Sequence, residues 1–196
     1  MNKLTLTAAL CAGLLLAATA HAQQADAAFG MSTVTAPSAS YATGQFYPQS
    51  LTGGLYPSFS WDYLFLKHNL GVGTNFSWRA SRGDYAGVLP FRPIFYDVNA
   101  VYAPRLGKSL AGELSAGIGG VNLRFYNPAG GCGFGCINYV TSNHFLGHFG
   151  LGLRAYVFKN LFVRPEANLY LINNNVEFSS GHVARFGVSL GYSFGR

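Results

Sequence analysis

The sequence predicts an all-β fold, an eight-stranded antiparallel up-and-down barrel that spans a membrane. Three observations indicate this fold. Apolar and polar residues alternate with a period of two in eight segments. Short turns alternate with long loops rich in Gly, Ser and Pro between these segments. Only 10% of the 196 residues are charged and 15% are aromatic, whereas about 25% are charged in soluble domains.

The N-terminus is typical of a cleaved signal peptide over residues 1–22. Lys3 supplies the positive start, an apolar run covers residues 4–19, and Ala-His-Ala at 20–22 matches a cleavage site. The apolar run is shorter than the roughly 20 residues that a transmembrane helix requires. We therefore expect residues 23–196 to form the exported barrel domain.

Eight predicted strands follow in order along this domain. In the fifth, the alternation slips at Gly119-Gly120, which predicts a β-bulge that keeps Val121, Leu123 and Phe125 on the apolar face. The predicted strands are residues 29–35 (the weakest), 57–65, 70–79, 94–102, 113–126, 144–157, 163–171 and 184–194. The long loops are 36–54, 80–93, 127–142 and 172–181, and the short turns are 67–69, 104–109 and 159–160.

Charge placement predicts that the apolar face of the barrel points outward to lipid. All the charged residues in the predicted strands fall on the polar face, whereas a Lys or Arg facing lipid at the midplane would cost about 2–4 kcal/mol. An eight-stranded barrel has little internal volume, so the many aromatic rings of the apolar face fit better outside. We therefore predict an interior charge network of Asp62, Arg79, Asp97, Glu113, Arg124, Arg154, Arg164, Glu166 and Arg185.

The C-terminal segment resembles the assembly signal of outer-membrane barrels. Its alternating residues Phe186, Val188, Leu190, Tyr192 and Phe194 give the pattern F-x-V-x-L-x-Y-x-F. With this segment, the chain resembles the small outer-membrane barrels of the OmpA/OmpX/OmpW-like class. The resemblance implies a monomer in the outer membrane of a Gram-negative-type bacterium. It also implies contact with the barrel-assembly machinery, outer-membrane lipids and lipopolysaccharide.

For function, the sequence favours a structural or surface-interaction role in adhesion or envelope integrity, without catalysis. Loops 36–54 and 127–142 are the expected surface for an extracellular ligand. The alternative is a narrow pore for small solutes, gated by interior Arg/Glu pairs. A lipid A-modifying enzyme is a more distant alternative, with Ser142, His144 and either Asp84 or Glu177 as candidate residues. The net charge of +6 is too mild and too scattered to indicate nucleic-acid binding.

Two cysteines follow the signal peptide, Cys132 and Cys136, both in the third long loop. An exported protein meets an oxidising environment, which favours a disulfide over a free thiol pair. The glycines around them permit the tight bend of a C-x3-C bridge. Zinc bound with His144 and His148 is the alternative, but the seven-residue spacer is short for a finger-like site. We expect a disulfide that fixes the loop tip, and neither metal nor cofactor.

Overall fold

The computed structural model describes residues 24–37, 50–66, 69–85, 89–126, 139–173 and 177–195. Within these residues, no helix is long and apolar enough to cross a membrane. The predicted signal peptide, Cys132 and Cys136 lie outside the described residues. The strands are β1 (Gln24–Thr35), β2 (Leu55–Leu66), β3 (Leu70–Trp78), β4 (Gly83–Tyr85), β5 (Leu89–Tyr102), β6 (Leu110–Tyr126), β7 (Tyr139–Tyr156), β8 (Leu161–Ile172) and β9 (His182–Phe194).

Eight of these strands close into an antiparallel barrel. Each pairs with its neighbour along the chain, β3 pairs directly with β5, and β1 pairs with β9 to complete the ring. The short strand β4 is an addition outside the ring, where it pairs with the beginning of β5. The arrangement confirms the predicted all-β, eight-stranded, up-and-down fold.

The two ends of the barrel differ in the length of their connections. At one end, which we call the turn end, residues 67–69, 103–109 and 157–160 join consecutive barrel strands. At the other, the loop end, the connections are residues 36–54, 79–88, 127–138 and 173–181. This asymmetry is the one that membrane barrels show between their periplasmic and external sides.

The outward face of the barrel is apolar. On β9, the five residues of the predicted assembly signal all point outward and are between 45% and 55% exposed. So large an exposed apolar surface is unusual for a soluble monomer and suits contact with lipid. We call this surface the apolar belt; its other members include Phe29, Met31, Phe59, Val72, Phe76, Tyr96, Val98, Tyr102, Leu114, Ile118, Phe145, Phe149, Leu151 and Leu153.

Several predictions about the strands are wrong. β5 begins at Leu89 and not at Ile94, and β7 begins at Tyr139 and not at His144, so residues 89–93 and 139–142 belong to strands and not to the predicted long loops. The first strand begins at Gln24 and not at Phe29. On β6, pairing with both neighbours continues through Gly119-Gly120 without a register shift, so no β-bulge is present. Val121 and Leu123 therefore point inward and are fully buried. Side chains of β6 keep alternating between the two faces of the sheet. Apolar side chains point outward up to Ile118 but inward at Val121 and Leu123, because the inside of the barrel is apolar at that level.

Inward side chains form three layers along the barrel axis. Near the turn end, Leu64, Val101 and Ala103 pack together, and Phe162 is fully buried beside Tyr156; these are the turn-end layer. Charged residues fill the middle and form the charged layer. The loop-end layer is a larger apolar cluster of Val34, Ala36, Leu51, Tyr56, Tyr85, Phe91, Phe95, Val121, Leu123, Leu146, Tyr170, Ile172, Phe178 and Val183. Several aromatic rings thus lie inside, contrary to the expectation that they would lie outside.

Gly191 leaves the space that the Phe162 ring occupies. The two residues are cross-strand partners on β9 and β8, and a Cβ at position 191 would lie 2.6 Å from Cε2 of the ring. Overpacking of this kind typically costs about 1–3 kcal/mol. We expect Gly191→Ala to lower the free energy of unfolding by that amount, measured by urea denaturation in lipid vesicles. At Gly107 an added Cβ meets nothing within 4 Å. Gly107→Ala is therefore the control, and equal stability of the two variants would contradict the placement of Phe162.

Candidate functional site

The charged layer is the candidate functional site because its ionisable groups are held together inside the lumen. Arg154 on β7 is fully buried, and its guanidinium contacts carboxylates on three other strands. Its Nη2 lies 2.8 Å from Asp62, its Nε lies 2.5 Å from Glu113, and its Nη1 forms an ion pair with Asp26. One side chain of β7 therefore connects β1, β2 and β6 across the lumen.

Arg164 on β8 extends these contacts. Its Nη1 lies 3.0 Å from Glu113 and 3.3 Å from Asp62, and its Nη2 lies 3.1 Å from Glu166. Glu166 in turn lies 3.3 Å from Nη2 of Arg185 on β9. The ion pairs form a continuous chain that joins β1, β2, β6, β7, β8 and β9.

A second group of buried polar side chains, centred on His148, lies beside these ion pairs. The Nδ1 atom of His148 is 3.2 Å from the Asp97 carboxylate and 2.6 Å from Oδ1 of Asn99, and its Nε2 is 2.8 Å from Oδ1 of Asn168. The imidazole stacks on Tyr170 with 5.0 Å between ring centroids. The guanidinium of Arg185 lies 5.5 Å from the Tyr170 ring. Tyr170 therefore contacts both groups and separates them from the loop end.

The structure brings together seven of the nine residues predicted to form the interior network: Asp62, Asp97, Glu113, Arg154, Arg164, Glu166 and Arg185. Two are elsewhere. Arg79 lies at the loop end, 5.7 Å from the centroid of the Phe91 ring. Arg124 points outward, because the predicted bulge is absent, and lies 5.3 Å from the Tyr139 ring.

Asp26 is a member of the network that the sequence analysis missed. The first strand was predicted to begin at Phe29, which left Asp26 outside it. The signal was nevertheless present, because an acid flanked by Ala25 and Ala27 continues the alternation of the strand toward its N-terminus. Extending the period of two by a few residues would have placed Asp26 on the inward face.

The charged layer leaves little free space in the lumen. A cavity of about 20 Å³ lies among Asp62, Glu113, His148, Arg164 and Glu166, which is room for roughly one water molecule. Among the described residues, five carboxylates and three guanidinium groups line this layer. Counted as ionised, these groups leave the layer with a formal excess of two negative charges. Such packing fits a structural plug better than a passage for solutes.

Three of the residues considered for a lipid A-modifying enzyme, Ser142, His144 and Glu177, lie in contact at the loop end. His144 Nε2 lies 3.1 Å from Ser142 Oγ and 2.8 Å from Glu177 Oε2, while Nδ1 lies 3.0 Å from the carbonyl oxygen of Asn173. Asp84 is exposed on β4 and forms no ion pair within the described part of the chain. In a hydrolytic triad, the acid and the nucleophile bind opposite nitrogens of the imidazole. Here both contact Nε2, so the group fits an anchor for the loop better than a catalytic relay.

Neighbouring contacts hold the same loop against the mouth of the barrel. The Tyr85 hydroxyl donates to the carbonyl oxygen of Glu177 at 2.9 Å, and the rings of His144 and Phe178 are 5.2 Å apart. Burial, and secondarily the carboxylate of Glu177, raises the pKa of Tyr85 above its ordinary value. The last long loop is thus attached to β4 and β7.

The histidines of the zinc alternative already have protein partners. His144 and His148 both point inward from β7, and both nitrogens of each ring lie within hydrogen-bond distance of protein oxygens. In the described parts of the chain, no group of three or more His, Cys, Asp and Glu side chains is arranged to hold a metal ion. The disulfide between Cys132 and Cys136 lies outside these parts and stays a prediction.

Comparison with solved structures identifies the fold. The Ail attachment invasion locus protein of Yersinia pestis, in complex with the heparin analogue sucrose octasulfate, superposes with a TM-score of 0.60 at 13% identity. The match covers 88% of this chain and 99% of Ail. The fold is that of a small outer-membrane β-barrel. Neisserial surface protein A matches with a TM-score of 0.57 at 10% identity, covering 89% of this chain and 97% of that one.

The N-terminal β-barrel domain of Pseudomonas aeruginosa OprF gives a TM-score of 0.52 at 15% identity, covering 89% of this chain and 98% of the OprF domain. No protein-family model matches the chain, and no curated protein matches it in sequence. Similarity at this level of identity concerns the fold, and a barrel fold hosts many functions.

Arg154→Gln removes one ionic partner from each of Asp26, Asp62 and Glu113. Breaking a buried ion pair in this way typically costs about 3–5 kcal/mol, and we expect that loss in the free energy of unfolding in lipid vesicles. Arg105→Gln, at an exposed position of the turn end, removes the same charge and should change stability by less than about 0.5 kcal/mol.

A double-mutant cycle tests the direct contact between Arg154 and Asp26. Because each single change leaves an unpaired charge, Arg154→Gln combined with Asp26→Asn should destabilise less than the sum of the two. Strict additivity of the two effects would contradict the contact.

Proposed function

We propose that the chain is an integral protein of the outer membrane of a Gram-negative-type bacterium, with a structural or surface-interaction role and no catalytic activity. One observation carries the proposal: the barrel has an apolar belt outside and a lumen plugged by the charged layer inside. The side chains that fill the lumen stabilise the barrel and leave no room for a ligand there. Contacts with other molecules are therefore expected at the lipid-facing surface and at the loops.

The apolar belt supports the membrane location. Its aromatic members near the turn end include Tyr102, Tyr192 and Phe194, each almost half exposed. Membrane barrels carry such aromatic residues at the level of the lipid headgroups. Charged residues of the barrel strands are concentrated inside, where the lipid tails do not meet them.

The loops support the surface-interaction role. The predicted loops 36–54 and 127–142 contain the two longest connections at the loop end, residues 36–54 and 127–138, and are the proposed surface for an extracellular ligand. Two proteins with similar folds fit this role, one being an attachment invasion locus protein and the other a surface protein. Much of both loops, residues 38–49 and 127–138, lies outside the described residues.

We further propose that barrel-assembly machinery recognises the last strand and that the barrel acts as a monomer. The outward exposure of Phe186, Val188, Leu190, Tyr192 and Phe194 on β9 supports recognition by another protein before the ring closes. Pairing of β9 with β1 leaves no free strand edge in the ring, and such an edge is the usual route to pairing with another chain.

A deletion strain tests the role. We expect deletion of the gene to raise envelope permeability, lower attachment to surfaces, or do both. Expression of the full-length protein should restore each property that changed. A variant that lacks residues 38–49 keeps the described barrel, so it should restore permeability but not attachment if this loop binds the ligand. Unchanged permeability and attachment in the deletion strain would contradict the proposed role.

The pore alternative is tested by conductance in planar bilayers. We expect no stepwise currents from the wild-type protein, because the cavity in the charged layer has only about 20 Å³ of free space. Heat-modifiable migration on gels confirms that the sample is folded, and a porin serves as the positive control. Stepwise currents that Glu113→Gln or Arg154→Gln changes would favour a gated pore and contradict the plugged lumen.

A further inference from the structure

Three arginines lie side by side on the outer face of the barrel at the loop end. Arg92 of β5 and Arg124 of β6 are direct cross-strand partners. Arg82 immediately precedes β4, and the pairing of Gly83 with Phe91 brings it alongside Arg92. Even-numbered residues of β5 and β6 face outward, as Tyr96 and Ile118 do, so Arg92 and Arg124 share that face. We call these three residues the arginine row.

Among the described residues, no acid forms an ion pair with the row, and the acid nearest to it in sequence, Asp84 of β4, is exposed. All seven acidic side chains of the sequence lie in described residues. The ion pairs that they form are with His144, His148, Arg154, Arg164 and Arg185. Like charges placed directly opposite each other destabilise a sheet. The juxtaposition of Arg92 and Arg124 therefore calls for an anion from outside the chain.

The arginines are also incompletely hydrogen-bonded. Nη2 of Arg92 donates to the carbonyl oxygen of Ala80 at 3.1 Å, which fixes the side chain in place. Within the described residues, the Nε atoms of Arg92 and Arg124 are buried without a hydrogen-bond partner. A guanidinium can donate two parallel hydrogen bonds, from Nε and Nη, to the oxygens of a phosphate.

Two tyrosines hold the row in position. The guanidinium of Arg82 lies 4.0 Å from the centroid of the Tyr126 ring, and that of Arg124 lies 5.3 Å from Tyr139. Contacts between a cation and an aromatic face are favourable. Tyrosines are also typical of the level at which a membrane barrel meets the lipid headgroups. The arginines are therefore placed at that level before any ligand binds.

The height of the row agrees with this placement. Outward residues of β6 are apolar from Leu114 to Ile118, and polar side chains begin at Asn122, which donates to Asn143 of β7 at 2.7 Å. A strand tilted by about 40° rises roughly 2.5 Å per residue. Arg124 thus lies about 35 Å above Leu110, the first outward apolar side chain of β6, which places it beyond an apolar band about 25 Å tall.

We propose that the arginine row binds the phosphate groups of lipopolysaccharide in the external leaflet. The inference rests on the proposed function, because it requires an outer membrane with the long loops outside. The spacing fits, since guanidinium groups on adjacent strands, about 4.8 Å apart at the backbone, can contact one phosphate together. The phosphate supplies the ion pair that no described acid forms with these arginines.

The test compares two forms of lipid A, one with both phosphates and one with both removed. The wild-type barrel is refolded in phosphatidylcholine vesicles, and its affinity for labelled lipid A is measured by energy transfer from tryptophan. We expect at least tenfold tighter binding of the phosphorylated form. Arg92→Gln combined with Arg124→Gln should remove most of that difference. Arg105→Gln with Lys159→Gln removes the same charge at the turn end and should keep it.

Equal affinity of the wild-type protein for the two forms would overturn the proposal, and this result does not depend on any variant folding. Competition by millimolar inorganic phosphate as effective as that by lipid A would also overturn it, in favour of a free-phosphate site. Binding of a soluble sulfated polysaccharide through the same arginines, without an effect of lipid A phosphates, would assign the row to an external polyanion.

The same preparation separates this proposal from the proposed function. Heat-modifiable migration reports whether the barrel has folded into the vesicles. A chain that never inserts would contradict the proposed function and the arginine row with it. An inserted barrel that binds both forms of lipid A with equal affinity would contradict only the proposal for the arginine row.

Discussion

The contact of Arg154 with three carboxylates is the constraint on which the interior of the barrel depends. An eight-stranded barrel is only just wide enough for its own side chains, so each buried charge there must be paired with a partner of opposite charge. Arg154 and Arg164 share Glu113 and Asp62 and thereby join most of the strands. Inward glycines belong to the same arrangement, because a Cβ at Gly73 would collide with the Asp62 carboxylate. The network therefore fixes both the charges and the volumes of its neighbours.

The apolar layers at the two ends make this network stronger and less tolerant of change. Phe162 lies on the turn-end side, with the Arg154 guanidinium 5.4 Å from its ring, and Tyr170 lies on the loop-end side. Ionic contacts are worth more where water is excluded, and an unpaired charge costs more there as well. An interior built in this way is suited to holding the ring closed.

The sequence was sufficient to predict the strand number, the alternation of turns and loops, the outward face and most of the charge network. These follow from a period of two, which polarity reveals wherever lipid lies on one side and charge on the other. Asp26 was missed because β1 begins with small residues that contrast weakly with one another. The path of β6 was misread because Val121 and Leu123 are apolar yet point inward. Polarity reports orientation only while the surroundings on each side stay the same.

The inversion of polarity on β6 follows a change in what surrounds each face of the strand. Toward the loop end, the inside changes from charges to the apolar loop-end layer, while the outside changes from lipid tails to headgroups. A strand that crosses this level keeps its backbone alternation but exchanges the polarity of its two faces, as it does between Ile118 and Arg124. The apparent slip is thus informative, because it places Arg124 on the outer surface of the barrel. Arg124, which was predicted to belong to the interior network, instead lies on the outer face near the loop end.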